Sequence, residues 1–125
     1  MAEEKTRDLK QRTKDFALRI IRLYVALPKT TEAQVLGKQV LRSGTSIGAH
    51  YREAQRAKSD ADFINKIEGG LQEADETLYW LELLADSGIV SARRLQPLVT
   101  EAEELIKMFV AMVVKVKHRQ NRTAR

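Results

Sequence analysis

The chain has 125 residues, 43% hydrophobic and 31% charged, with 6 Gly, 2 Pro, no Cys and a formal net charge of +5. That length suits one domain around one core, and the composition is neither that of a disordered chain nor that of a loop-rich one. The lack of Cys excludes disulfides, thiolate metal sites and cysteine nucleophiles. A charged amino-terminal segment without a signal-like apolar stretch, and no apolar run of spanning length, lead us to expect a cytoplasmic protein with no membrane contact.

Leu9, Phe16, Ile20, Leu23 and Leu27 recur at threes, fours and sevens and predict a helix from about Asp8 to Leu27, closed by Pro28. Thr31 is the expected N-cap of a second helix, Glu32 to about Ala57, with Leu36, Val40, Ser43 or Gly44, Ile47, Tyr51 and Ala54 facing inward. Gly44 and Gly48 each cost that helix roughly 1 kcal/mol relative to Ala, which predicts a neighbouring helix packed close against the missing side chains.

Ser59 and Asp62 have capping-box spacing and start a third helix from Asp60 to Asp86. Its seam reads Ile64, Ile67, Leu71, Ala74, Leu78, Leu81 and Ala85, and Gly88 follows as a left-handed cap. Ser91 caps a fourth helix, 92 to about Arg119, through Leu95, Leu98, Ala102, Leu105, Phe109, Met112 and Val116. Pro97 predicts an irregular start, and residues 120–125 are expected to fray. Similar helices with short connections predict a single-domain, all-α, antiparallel up-and-down four-helix bundle.

Two helices are apolar beyond what one bundle face requires. Leu18, Ile21 and Val25 lie opposite the Phe16 and Ile20 face of helix one, while Trp80, Leu83 and Leu84 widen the apolar surface of helix three. Either neighbours within the bundle cover both faces, or copies of the chain do; self-association through Leu18, Ile21, Val25, Trp80 and Leu84 is the structural expectation.

Catalytic chemistry has little to work with. His50 and His118 are the histidines, and the di-metal pattern of Glu followed three residues later by His is reversed at His50 and Glu53 and has no second copy. Glu53, Glu73 and Glu76 are expected to be solvated or ion-paired, with Arg42 meeting Glu53 or Glu76 across a helix contact. No metal, cofactor or enzymatic activity is expected.

The basic residues gather in two groups: Lys107, Lys115, Lys117, His118, Arg119, Arg122 and Arg125 near the carboxyl end, and Arg52, Arg56 and Lys58 after helix two. Cations near a helix C-terminus are stabilised by its macrodipole without any ligand. The alternative is phosphate contact, for which Arg52, Arg56, Lys58, Lys115, Lys117, Arg119 and Arg122 are the candidates.

The segment Gln39-Val40-Leu41-Arg42-Ser43-Gly44-Thr45-Ser46-Ile47-Gly48-Ala49-His50-Tyr51-Arg52-Glu53-Ala54, with Ala61 to Ile64 and Glu73 to Leu84, resembles the four-helix-bundle proteins linked to intervening sequences in 23S ribosomal RNA genes. More distantly, the chain is similar to the accessory subunit of diversity-generating retroelements, a basic pentamer that binds nucleic acid and a reverse transcriptase. The resemblance implies an up-and-down bundle, a homopentamer, a bacterial cytoplasmic setting and no enzymatic activity. The family usually has Asn where this chain has His50, a larger and titratable group, so a fixed amide role does not carry over directly. Charge and resemblance together lead us to expect an oligomeric binding protein for ribosomal RNA or another nucleic acid; the competing expectation is a scaffold for a protein partner.

Overall fold

The computed structural model describes residues 2–123, with side chains from 9 to 122. Its four helices are α1 (Ala2–Ala26), α2 (Thr31–Gln55), α3 (Asp60–Asp86) and α4 (Ala92–Thr123), and no strand occurs among the described residues.

Each connection is closed by local chemistry. After α1, the Leu27 N–H donates to the Tyr24 carbonyl, and the Gln34 amide reaches back to the Pro28 carbonyl while accepting from the Tyr24 hydroxyl. Thr30, rather than Thr31, caps α2: its extended backbone lets its hydroxyl accept from the Ala33 N–H, whereas Thr31 is already helical. Ser59 accepts from the Asp62 N–H as expected, but Asp62 returns its bond to the N–H of Lys58, one residue before the cap. Gly88 adopts φ 77°, and the Gly88→Ala85 and Ile89→Leu84 backbone bonds form a Schellman end to α3. Ser91 accepts from the Arg94 N–H to open α4.

Two helices outrun their apolar periodicity. α1 begins at Ala2 rather than Asp8, because Ala, Glu, Lys and Arg are strong helix formers and the early Glu3 and Glu4 suit a helix N-terminus. α4 continues to Thr123, so the expected fraying of 120–123 is not seen; Arg125 lies outside the described residues. Pro97 does not disturb α4: the bond it forgoes would reach the carbonyl of exposed Arg93, in the first turn.

Side-chain pairs establish the topology. Gly37 lies against Tyr24 and Leu27, Gly44 against Ile20 and Gly48 against Thr13, so α2 runs antiparallel to α1. Ser43 meets Thr77 and His50 meets Gly69, so α3 reverses again; Gly70 against Phe109, and Glu68 near Lys117, reverse α4. The helices follow one another around an up-and-down bundle, packed most extensively between α2 and α3 and most thinly between α1 and α4. The glycines in α2 serve the close approach expected of them: a Cβ on Gly44 would lie 2.8 Å from Ile20 Cγ1, and one on Gly48 3.0 Å from Thr13 Oγ1.

Phe16, Ile20, Val40, Ile47, Tyr51, Ile67, Leu81, Leu105 and Phe109 form the centre of the core, with the Tyr51 and Phe109 rings stacked at 6.0 Å. Leu23, Leu36, Leu71, Leu78, Ala85 and Met112, expected inward, are only partly buried, and Val113 takes the buried position on α4. Burying each large apolar side chain contributes about 1.5–3 kcal/mol.

Candidate nucleic-acid interface

The antiparallel order brings the end of α2, the start of α3 and the end of α4 to one end of the bundle. Around a cleft of about 510 Å³ there, Lys58 and Ser59 from the α2–α3 connection face Val116 and Arg119 of α4. Arg52, Arg56 and Lys58 therefore lie at the same end as Lys115, Lys117, His118, Arg119 and Arg122, with Lys107 midway along α4, and Lys58 and Arg119 share one cleft.

Part of this charge is already neutralised. Arg119 donates to Asp60 at 2.8 Å, and Lys117 stands 3.6 Å from Glu68. Asp60 also sits in the first turn of α3, where a carboxylate complements the helix dipole. Arg52, Arg56, Lys58, Lys115 and Arg122 have exposed side chains and no carboxylate partner among the described residues. Among the described residues they are the cations of this end that no carboxylate compensates.

The lateral faces differ from expectation at one residue. Leu18, Ile21 and Val25 are exposed, Val25 at 69%, and Trp80 is half-buried. Leu84, expected on the outer surface, is 0% exposed and belongs to the core: it follows Thr77 by seven residues and Leu81 by three, on the same buried stripe. Tyr79 is exposed instead, its ring 5.1 Å from that of Trp80. The Trp80 Nε1–H is enclosed without an acceptor among the described residues.

On the α2–α3 face, Arg42 bridges two carboxylates, at 3.0 Å from Glu73 and 3.0 Å from Glu76. Its expected partner Glu76 is there, but Glu73 takes the place proposed for Glu53. Hydrogen bonds from the Arg42 guanidinium hold the Glu76 carboxyl below its ordinary pKa, and the two carboxylates in turn keep the guanidinium more firmly protonated. Burial raises the Tyr51 phenol. His50 Nδ1 is enclosed 3.9 Å from Glu53, its ring filling the space beside Gly69. No group of three or more His, Asp or Glu residues suited to a metal ion occurs among the described residues.

Two polar contacts have no signal in the sequence. Arg12 clamps Glu101 through its Nη2 and Nε, at 2.6 and 3.1 Å, across the thin α1–α4 seam. Fully buried Ser43 and Thr77 share a hydrogen bond of 2.8 Å between α2 and α3. Each pairs ordinary polar residues far apart in the chain, and only an inward place on the helical wheel hints at Thr77.

Fold and surface together define an all-α bundle with its distinctive features on charged and apolar surfaces. The chain belongs to the 23S rRNA-intervening sequence protein family, whose sequence pattern matches residues 5–111. A solved structure from Bacteroides thetaiotaomicron, described as a protein with unknown function from the S23 ribosomal protein family, is 41% identical with a TM-score of 0.82. The match covers 87% of this chain and 97% of that one. No functionally curated protein matches significantly. Among the described residues, no helix is long and apolar enough to cross a membrane.

Proposed function

We propose that the chain is a non-enzymatic, cytoplasmic, oligomeric binding protein whose basic end contacts structured RNA or another nucleic acid. The observation that carries this reading is the gathering of Arg52, Arg56, Lys58, Lys115 and Arg122 at one end without carboxylate partners among the described residues. Cations left uncompensated are available to displace counterions from a phosphate backbone. Lys117 and Arg119, which have acidic neighbours, contribute less or must exchange partners. Family membership supports RNA as the polyanion.

Exposed Leu18, Ile21 and Val25 support assembly of several copies, with Trp80 as the expected counterpart on α3 and a closed ring such as a pentamer as the arrangement. A ring repeats the basic end on one side and multiplies weak phosphate contacts by avidity. Affinity for ribosomal RNA fragments at two salt concentrations tests the reading: binding should weaken steeply with salt, and absent or salt-insensitive binding contradicts it. A protein-scaffold reading rests on the same apolar face, and recovery of nuclease-insensitive partners would favour it.

A further inference from the structure

The opposite end of the bundle, where α1 ends and α4 begins, holds a second cleft, of about 340 Å³. Arg19, Arg22 and Leu23 come from one stripe of α1, and Arg94, Leu95 and Leu98 from the first turns of α4. None of the three arginine side chains has a hydrogen bond or ion pair with a described residue, and no carboxylate lines the cleft. Glu101, one of the acidic residues on the α1–α4 seam, is held by Arg12.

Fold stability does not account for these cations. Arg94 stands in the first turn of α4, which has no acidic residue, so its charge faces the positive end of the helix dipole. Arg19 and Arg22 are three residues apart on one helix face, where like charges repel. An anion between them relieves both costs. Forked guanidinium groups match phosphate oxygens in geometry, and several of them together favour a dianion over a singly charged diester or carboxylate. Leu23, Leu95 and Leu98 give the cleft an apolar floor that suits an organic body attached to the anion.

We propose that this cleft binds a phosphomonoester, with Arg19, Arg22 and Arg94 holding the dianionic phosphoryl group and the leucines supporting the group it esterifies. The same chemistry is offered by a free nucleotide and by the 5′-phosphorylated end of an RNA strand. The site is separate from the basic end formed by Arg52, Lys58, Lys115 and Arg122, and either can fail without the other.

Titration of the full chain at low salt with adenosine 5′-monophosphate, adenosine, acetate and inorganic phosphate, followed by NMR shifts or calorimetry, tests the proposal. The monophosphate should bind more tightly than adenosine or acetate, and more weakly as pH falls through about 6, where the phosphate dianion gains a proton. Arg22→Gln with Arg94→Gln should weaken it by about tenfold or more, while Lys115→Gln with Arg122→Gln leaves it unchanged. Circular dichroism should show unchanged helix content in both double variants. A 5′-phosphorylated oligonucleotide that binds in an Arg22- and Arg94-dependent way more tightly than the mononucleotide identifies a strand end as the source; the reverse order identifies a free ester. Equal binding of acetate, no binding of any phosphate, or binding undiminished in the Arg22 and Arg94 variant overturns the proposal. So does equal, cleft-dependent binding of a 5′-hydroxyl oligonucleotide. A drop in oligomer mass in that variant, without phosphate binding by the parent, also overturns it and assigns the arginines to a contact between copies.

Discussion

Removing the Thr77 hydroxyl should cost more than removing its partner's, and removing both should cost less than the sum. In the native packing Thr77 Oγ1 lies 2.8 Å from both Ser43 Oγ and the Glu73 carbonyl, whereas Ser43 has only a 3.5 Å contact to the Val40 carbonyl as an alternative. Ser43→Ala leaves Thr77 its Glu73 partner, so the loss is one net hydrogen bond, about 0.5–1.5 kcal/mol. Thr77→Val keeps the shape but leaves the Ser43 hydroxyl buried with a poor acceptor, costing about 1–3 kcal/mol. The double variant has no orphaned hydroxyl, so it should fall short of additivity by about 1 kcal/mol. Denaturant unfolding at one fixed protomer concentration, with unchanged m-values, measures the cycle. Strict additivity, or a harmless Thr77→Val, would refute the assignment of this pair as the polar lock between α2 and α3.

Arg12→Ala should destabilise the chain by about 1–3 kcal/mol in the same assay, because it leaves partly buried Glu101 unpaired on the thin α1–α4 seam. Gly70→Ala should also destabilise, by about 1–3 kcal/mol, since the new Cβ would lie 2.6 Å from Phe109 Cε2 in the core. Glu76 gives a pH prediction: its folded pKa is depressed, so its contribution is present above the ordinary value of 4.5 and lost as pH falls through the folded value. The stability gap between the parent and Arg42→Gln should therefore be open at pH 7 and close in acid; a gap that widens in acid contradicts it. Leu18→Glu or Ile21→Glu should reduce the light-scattering mass from a multiple of 14.2 kDa towards that value with helix content retained, and a parent already monomeric at micromolar concentration contradicts the assembly.

The helices were legible wherever apolar residues kept the three-four rhythm, and the glycines of α2 correctly announced a close neighbour because their helix cost had to be offset by packing. The start of α1 was not, since Ala2 to Asp8 has propensity but no apolar stripe to carry a period. Leu84 misled because α3 is apolar around so much of its circumference that the edge of its buried stripe has no mark in the sequence. Arg12 and Glu101 are 89 residues apart, and nothing in either neighbourhood specifies the other; only the closing of α4 against α1 does. The basic groups were visible as composition, but their meeting at one end, and the neutralisation of Lys117 and Arg119, depend on the antiparallel order. The arginine cleft was invisible for the same reason, being assembled from the end of α1 and the start of α4.

Contact between a phosphate backbone and the unpartnered cations at the α2–α4 end is the proposal on which the RNA-binding reading depends. Its most direct test is the slope of log affinity against log salt for a structured ribosomal RNA fragment, measured for the parent and for Lys115→Gln with Arg122→Gln. The parent should show a steep negative slope, and the double variant one shallower by roughly 0.7–0.9 for each phosphate contact removed. A parent that does not bind at low salt, or a slope that the two substitutions leave unchanged, would contradict the account.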